Sequence, residues 1–517
     1  MTMKHLAVGD LGTSGIKIGL VNEKGEVVES IYFPTRYSAK GLGRIVQQSD
    51  DFVEGILKGI RLLFEKSRIA PNNIVALALS GQMGGIIGVD KEFRNLTGLD
   101  MGLDLHSERY NRFFQEKYAN FVNTKSCGSP RNFPKILWWK HERPEVYKKV
   151  ARFVTLNGYV VGRLAGMRAD KAFIDYTTLS FFGNEEMEKK QWSEEVTRDL
   201  GIDLTKLPQI VEPWQVVGKV SPESASSCGL LSGTPIVAGL GDQPAGFLGG
   251  GLNIPGMLAD VAGSSTILSL FVDKPVRQKE NPTVMYMIAA QPSGYHAFTY
   301  INGGGTTIHW FIDTFLSDQE GTSESQLQWI TKKSARVPPG SEGLLFLPYF
   351  GGQQCPYNPS VRGAFIGLSW WHKKEHLFRS ILESIAYDYA LGLEALRATF
   401  PRYPYKQIFA MGGGARNELW NHIKANVLGL PYIPIDDYKF PLLGCAIVAG
   451  YGIGLFSKIA PLKRKDDLFH NSVIQPNASL HHVYKQYCEI YANLLHQPLR
   501  SSFQALALLS EEVITNV

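Results

Sequence analysis

Two aspartates stand where a carboxylate could act on a bound ligand. Asp242 lies in V-A-G-L-G-D-Q-P-A-G-F-L-G-G-G, Val237 to Gly251. Apolar residues lead to a Gly-Asp pair, then small residues, which reads as a strand end, a tight turn and a helix beginning near Pro244. Proline is favoured at the start of a helix because its missing N–H is not needed there. Asp242 then sits at or near a helix N-terminus, among glycines that let a substrate approach the backbone. A carboxylate so placed can take a proton or bind a metal, and it can equally be the helix N-cap. Asp10 ends the N-terminal apolar run and precedes L-G-T-S-G, Leu11 to Gly15. In that corner backbone N–H groups converge with the hydroxyls of Thr13 and Ser14, a geometry that can hold a phosphate. Asp10 at its mouth is suited to hold Mg²⁺ through water, although an ordinary hairpin turn has the same composition.

Further corners carry similar chemistry. Ala262-Gly263-Ser264-Ser265-Thr266 separates two strand patterns, and Gly303-Gly304-Gly305-Thr306-Thr307 opens a helix. A glycine-rich turn opening a helix presents N–H donors to an anion. Gly412-Gly413-Gly414-Ala415-Arg416-Asn417 lies between a strand and a helix, where glycines allow a flat ring to lie against the backbone. Ser80-Gly81-Gln82-Met83 offers an amide and backbone groups suited to hydroxyls. Asp104, in G-L-D-L-H, is either a ligand contact or a loop cap.

The elements that must position these residues emerge from hydrophobic period and turn chemistry. His5–Gly9, Lys17–Val21 and Val27–Phe33 read as an antiparallel meander. Phe52, Ile56, Ile60, Leu63 and Phe64 share one face of a helix over 50–67, and Ile74–Leu79 reads as a buried strand. Thr234–Ala238 is the strand that delivers Asp242. After Gly251 the strand, Gly/Ser/Thr corner, strand order restarts at Met257, so the chain reads as two related halves. Gly343–Phe350 is expected as a strand, Lys374–Ala398 as a long amphipathic helix and Gly444–Phe456 as a close-packed small-residue helix.

The chain has 517 residues, too many for one core, so two large domains are expected, 1–250 and 251–517. Hydrophobic residues are 44% and charged residues 20%, which excludes a disordered chain. The net charge of +5 is mild over this length and forms no dense basic run, which argues against a nucleic-acid partner. Five scattered cysteines without a C-x-x-C argue against a disulfide framework or zinc site and for a reducing compartment. The N-terminus enters a strand pattern at once, and no apolar run approaches the roughly 18 residues of a membrane span. A cytoplasmic protein without a membrane anchor is therefore expected.

Taken together, the motifs resemble the FGGY family of carbohydrate kinases, within the actin/hexokinase/heat-shock-protein ATPase superfamily, over essentially the whole chain. The matching stretches are D-L-G-T-S-G-I-K from Asp10, S-G-Q-M from Ser80, P-K-I-L-W-W-K-H-E-R-P-E from Pro134, G-D-Q-P-A-G from Gly241, A-G-S-S-T from Ala262, R-G-A-F-I-G-L from Arg362 and M-G-G-G-A-R-N from Met411. The pattern is that of the xylulokinase branch. The resemblance implies an α/β chain of two ribonuclease-H-like domains flanking an active-site cleft. It implies ATP and Mg²⁺ as cofactors, a sugar as substrate and a homodimer as assembly. It makes Asp242 the general base, and Asp10, Thr13 and Ser14 the organisers of Mg²⁺ and phosphate. Gly263, Ser264, Ser265 and Thr266 would hold the ATP phosphates with help from Gly305 and Thr306, and Gly413, Gly414 and Asn417 would seat the adenosine. Gln82, Met83, Asp104, Asp242 and Gln243 would face the sugar.

Three departures mark this chain. Gly84 replaces the His that comes after S-G-Q-M in related xylulokinases. Gly102 and His106 take the outer places of Trp-x-Asp-x-Arg, and Gly352-Gln353-Gln354-Cys355-Pro356 replaces Gly-Glu-Arg-x-Pro. The expected acceptor is a ketopentose such as xylulose. Ribulose, a heptulose and erythritol are alternatives, as is a non-catalytic ATP-binding protein of the same superfamily.

Overall fold

The first strand, His5–Leu11 (β1), is buried at every position. A strand covered on both faces needs neighbours on both edges as well. In this computed structural model, residues 3–39, 45–102, 104–263, 266–280, 282–354, 356–358, 360–435, 439–462, 473–496 and 499 are described. The chain forms two units. The first comprises Met1–Asn253, Tyr286–His296 and Tyr438–Asp467, and the second Ile254–Met285, Ala297–Asp437 and Leu468–Val517.

In the first unit β1 pairs antiparallel with β2 (Gly15–Asn22), which pairs antiparallel with β3 (Val27–Pro34). This is the expected meander, each strand extended by a residue or two. After helix α1 (Ser49–Ser67) the chain returns as β4 (Ile74–Gly81), parallel to β1 on its other edge. Val216–Lys219 (β5) and Pro235–Gly241 (β6) complete a sheet of order β5-β6-β4-β1-β2-β3, with β6 parallel to β4. Helix α2 (Asp242–Gly249) begins where β6 ends. Side chains alternate between the faces of a strand. Gly9 and Ile18 are cross-strand partners facing α1, where a Cβ on Gly9 would lie 3.0 Å from Ile56 Cδ1 and one on Gly59 1.9 Å from Ile18 Cδ1. Gly19 points to the opposite face, where a Cβ would lie 3.1 Å from a methyl of Leu442 in the helix Phe440–Gly452.

A second six-stranded sheet repeats the plan. Leu258–Ala262 (β7) pairs antiparallel with Thr266–Val272 (β8), and Met285–Ile288 (β9) and Tyr295–Ile301 (β10) come next. Beyond the helices Gly304–Phe315 (α3) and Lys374–Thr399 (α4), Ile408–Met411 (β11) runs parallel to β7. After the helix Glu418–Leu428 (α5), Tyr432–Pro434 (β12) runs parallel to β11. The order is β9-β10-β8-β7-β11-β12. In both sheets the earliest strand is central, the antiparallel strand that follows it (β2 or β8) lies on one side, and later parallel strands (β4 and β6, or β11 and β12) lie on the other. This is the ribonuclease-H-like α/β fold, present twice. The region 343–350 forms a strand only over Leu345–Leu347, paired with Ala364–Ile366.

Two stretches expected in the second half pack with the first, Tyr286–His296 and Tyr438–Asp467. The reason for the latter is backbone proximity. The helix Phe440–Gly452 lies against α2 at glycines, so that a Cβ on Gly444 would sit 2.2 Å from Ala245 O and one on Gly249 2.0 Å from Phe440 O. Only residues without a Cβ permit that approach. Cys127, Cys228 and Cys445 are buried, and no disulfide joins the cysteines among the described residues; Cys355 lies outside them. No helix among the described residues is long and apolar enough to cross a membrane.

Gly444→Ala sets two effects against each other. Alanine gains about 1 kcal/mol of helix propensity over glycine. Overpacking costs about 1–3 kcal/mol, and here the obstacle is backbone, which cannot turn aside. The clash prevails, so the urea midpoint of Gly444→Ala should fall with an unchanged m value.

Candidate active site

The sheet register of the first unit decides the surroundings of Asp10. Asp10 is the cross-strand partner of Lys17 on β2 and the parallel neighbour of Ser80 on β4. Ser80 Oγ donates to Asp10 Oδ1 at 2.9 Å, and Lys17 Nζ lies 3.8 Å from Oδ2. Asp10 is only 6% exposed. Burial raises its pKa, and the charge of Lys17 and the Ser80 hydroxyl pull it back.

Asp242 reaches the same end of the sheet through an irregular strand. Between Val237 and Leu240 the pairing of β6 with β4 gains one residue, a bulge that re-aims the end of the strand. Gly239 sits in it at φ 79°, where a Cβ would lie 1.9 Å from Leu79 O. The bulged backbone is tied at three points. Asn157 Nδ2 donates to Ala238 O at 2.8 Å, and the N–H groups of Ala238 and Gly239 donate to Gln215 O and Pro213 O at 2.8 and 3.0 Å. The helix then begins at Asp242, two residues before Pro244, and its N-cap is Gly241. Asp242 is therefore not the N-cap, and its Oδ1 accepts the neighbouring Gln243 N–H at 2.8 Å. It is partly exposed. Desolvation first, and then the negative charge of Asp10, raise its pKa from 3.8 to about 7. The N-terminal end of a helix favours the anion, so ionisation is made difficult without being forbidden near neutral pH.

The corner Gly12–Ser14 between β1 and β2 has its carbonyls committed. Thr13 O accepts Thr35 Oγ1 at 2.8 Å and Gln47 Nε2 at 3.0 Å, and Ser14 O accepts Tyr32 OH at 2.9 Å. Gln47, for which the sequence offers no motif, also fixes Gln82. Because a carbonyl can only accept, Gln47 must present its NH₂ to Thr13 and its Oε1 to Gln82, whose Nε2 donates at 2.9 Å. Met83 is buried against Gly241, where a Cβ would lie 2.7 Å from Met83 Cγ, and Asn132 bonds both Met83 O and Gly85 N. Gln243 Oε1 is a buried acceptor without a donor among the described residues.

Asp104 is differently placed. It is 3% exposed and bonded to the N–H groups of Ile45 and His106, at 2.7 and 2.9 Å, and to the His106 ring. Burial would raise its pKa, but the bonds from His106 and the charge of buried Lys135 hold it below the usual carboxylate range. Its oxygens organise a loop. Gly84 and Gly102 touch each other: a Cβ on Gly84 would lie 3.0 Å from Gly102 Cα. Two of the residues that depart from the relatives' pattern are thus a single backbone contact.

In the second unit three corners meet around Ala262 and Gly263. Gly305 N donates to Gly263 O at 3.0 Å. Cβ atoms on Gly412 and Gly414 would lie 2.7 Å from Ala262 O and 2.5 Å from Ala262 Cβ. Thr266 Oγ1 and Thr306 Oγ1 donate to Gly263 O and Gly303 O at 3.3 and 3.0 Å. Gly413 is exposed, with open space where a side chain would be. Asn417 caps α5, its Oδ1 accepting Trp420 N–H at 3.0 Å. Ser264 and Ser265 lie outside the described residues.

In each unit the candidate residues cluster at the carboxyl ends of parallel strands: Asp10, Ser80 and Asp242 after β1, β4 and β6, and Ala262 and Gly412 after β7 and β11. Open α/β sheets bind ligands at such ends. Carboxylates at the strand ends of one unit and glycine-rich corners at those of the other suit an enzyme of the phosphotransferase class. The N-terminal domain of the FGGY family of carbohydrate kinases matches residues 6–249 and its C-terminal domain residues 258–453. The chain belongs to the FGGY family of carbohydrate kinases, enzymes that take ATP and a sugar as substrates. A xylulose kinase of Bacillus subtilis is 25% identical over 496 residues, covering 95% of this chain and 97% of its own. A gluconokinase of Bacillus subtilis is 28% identical over 465 residues, 88% of each chain. The crystal structure of a ligand-bound xylulose kinase from Lactobacillus acidophilus has the same fold, with TM-score 0.82, 22% identity and coverage of 96% of this chain and 99% of its own.

The stability linkage of Asp242 has a definite sign. A carboxyl whose pKa is about 7 when folded and about 3.8 when unfolded binds more protons in the folded state between those values. Its favourable contribution is complete below the unfolded pKa and is lost as pH rises to the folded one. Asp242→Asn should therefore melt above wild type, by a margin that grows from about pH 4 to about pH 7 and is constant beyond. Melting curves across that range check this.

Proposed function

We propose that the enzyme transfers the γ-phosphoryl group of ATP to a hydroxyl of a ketopentose such as xylulose, with Asp242 as general base. The observation that carries this is a partly exposed carboxylate with its pKa raised to about 7, set beside Asp10 at the strand ends. A sugar hydroxyl is a weak nucleophile, and a base with a pKa near the working pH takes its proton most effectively. As the new O–P bond forms and the bond to the β-phosphate oxygen breaks, the hydroxyl proton passes to Asp242. Positioning and charge neutralisation account for most of such a transfer. Residues 1–250 carry the sugar and the base in this reading, and residues 251–517 carry ATP, its phosphates at Gly263–Thr266 with Gly305 and Thr306, its adenosine at Gly413, Gly414 and Asn417.

Asp10 fits a magnesium site. It is a hard oxygen donor, buried, and raised in pKa by that burial, so that a cation would relieve its cost. Mg²⁺ bound there with Thr13 and Ser14 nearby would neutralise phosphate charge. Gln82, Met83 and Gln243 meet the sugar, and Asp104 supports that end from behind. The reaction belongs in the cytoplasm, where ATP is supplied, and the assembly is a homodimer.

A second reading, a sugar acid such as gluconate, is supported by the similarity to gluconokinases and the net charge of +5. A panel of xylulose, ribulose, a heptulose, erythritol and gluconate, with ADP release and mass spectrometry of the product as readouts, decides between them. With the accepted sugar, kcat/KM should rise with pH and level off above about 7. Asp242→Asn should lose about 10²- to 10⁴-fold in kcat. Sugar-dependent ADP release near the wild-type rate in that variant would refute Asp242 as base.

A further inference from the structure

Asp242 is aimed by the backbone, and the last backbone link before it is Gly241. Gly241 is the final residue of β6 paired with β4 and also the N-cap of α2, and no side chain caps the helix from that position. A glycine is the residue least able to hold its own φ and ψ. What holds it must therefore come from elsewhere in the fold. Its N–H donates to Thr177 Oγ1 at 2.9 Å.

Thr177 is held in turn. It is fully buried, and so is Asp175, at 0% and 1% exposure. The Thr177 hydroxyl donates to Asp175 Oδ1, which also accepts the N–H groups of Thr177 and Thr178 at 3.0 and 3.2 Å. Asp175 Oδ2 accepts Thr178 Oγ1 at 2.6 Å. The polarity is dictated without choice. A carboxylate can only accept, so the threonine proton is spent on Asp175 and an oxygen lone pair is left for Gly241 N–H.

We propose that Thr177, its hydroxyl oriented by Asp175, is a positioning residue for catalysis that fixes the strand-to-helix turn at Gly241 and thereby the direction of the Asp242 carboxylate. This rests on the reading of Asp242 as base. The clamp touches neither sugar nor nucleotide; it acts on the base through one peptide link. A misplacement of about 1 Å at a reacting group can cost on the order of 100-fold in rate, so its loss should appear in kcat.

Steady-state kinetics of the full chain, with the sugar accepted in the panel, test this on Thr177→Val, Thr177→Ser, Asp175→Asn and Asp242→Asn, each checked by thermal melting. Thr177→Val keeps the shape and removes the acceptor. It should lower kcat by about 10- to 100-fold and leave KM for sugar and for ATP within about twofold. Thr177→Ser should restore most of kcat, because the oxygen and its proton are back. Asp175→Asn, which can donate to the threonine oxygen and reverse its polarity, should resemble Thr177→Val and keeps the test open if the valine variant does not fold. In the Asp242→Asn background, Thr177→Val should have no further effect on kcat, whereas a merely structural role would lower both backgrounds alike. The proposal is overturned if Asp242→Asn is inactive while Thr177→Val and Asp175→Asn turn over as wild type. It is also overturned if Thr177→Ser is as slow as Thr177→Val. If Asp242→Asn itself retains wild-type kcat, the reading of the base fails first and the clamp with it.

Discussion

The position of β1 between an antiparallel and a parallel neighbour governs the candidate site. One edge of β1 brings Lys17 opposite Asp10, and the other brings Ser80. A slip of one residue in a strand turns every side chain to the other face. Asp10 would then point away from Ser80, and Gly9, which admits Ile56 and Leu79, would be replaced by residues too large for the space. The register is held because both faces are covered, with Gly9, Gly19 and Gly59 at places where a larger residue would meet a neighbouring side chain. The placement of a charged group and the packing of the core are the same fact.

The second consequence is the cost of bringing carboxylates inside. Asp10 and Asp242 are both raised in pKa by desolvation, and the charge of Asp10 makes Asp242 harder still to ionise. Lys17 and Ser80 offset part of this for Asp10, whereas Asp242 receives little more than one backbone N–H. The environments of two otherwise similar acids therefore differ. The well-supported one suits a fixed charge, and the poorly supported one suits proton transfer. The bulge at Gly239 shows how the fold accommodates the difference: a regular strand would not have re-aimed the chain at Asp242.

The sugar end has a separate logic. Gly84 and Gly102 touch each other, so a side chain at either would meet the backbone of the other. Asp104 is withdrawn into loop bonds with Ile45 and His106. Gln243 Oε1 is a buried acceptor with no donor among the described residues, and Gln47 holds the Gln82 amide through its Nε2.

Much of this was legible in the sequence. The meander, the Gly/Ser/Thr corners and the repeated half arise from period-two hydrophobicity and turn residues, which are local signals. Even Lys17 opposite Asp10 could be counted across the L-G-T-S-G corner. The helix at Asp242 was legible, but not its N-cap, since a Gly-Asp pair allows either residue to fill that place. Gln47, Asn132 and Thr177 carry no motif, because the partners that matter here lie far along the chain, 64 residues apart for Thr177 and Gly241. The helix Phe440–Gly452 was recognisable as close-packed, but that it packs on α2 in the first unit was not. Sequence by itself determined the element types and the residues able to do chemistry, since these depend on side-chain identity and short-range pattern. The tertiary structure alone decided how far each carboxylate is desolvated, which way the Gln47 amide faces and which hydroxyl holds Gly241, since burial and hydrogen-bond polarity are set by groups distant in sequence.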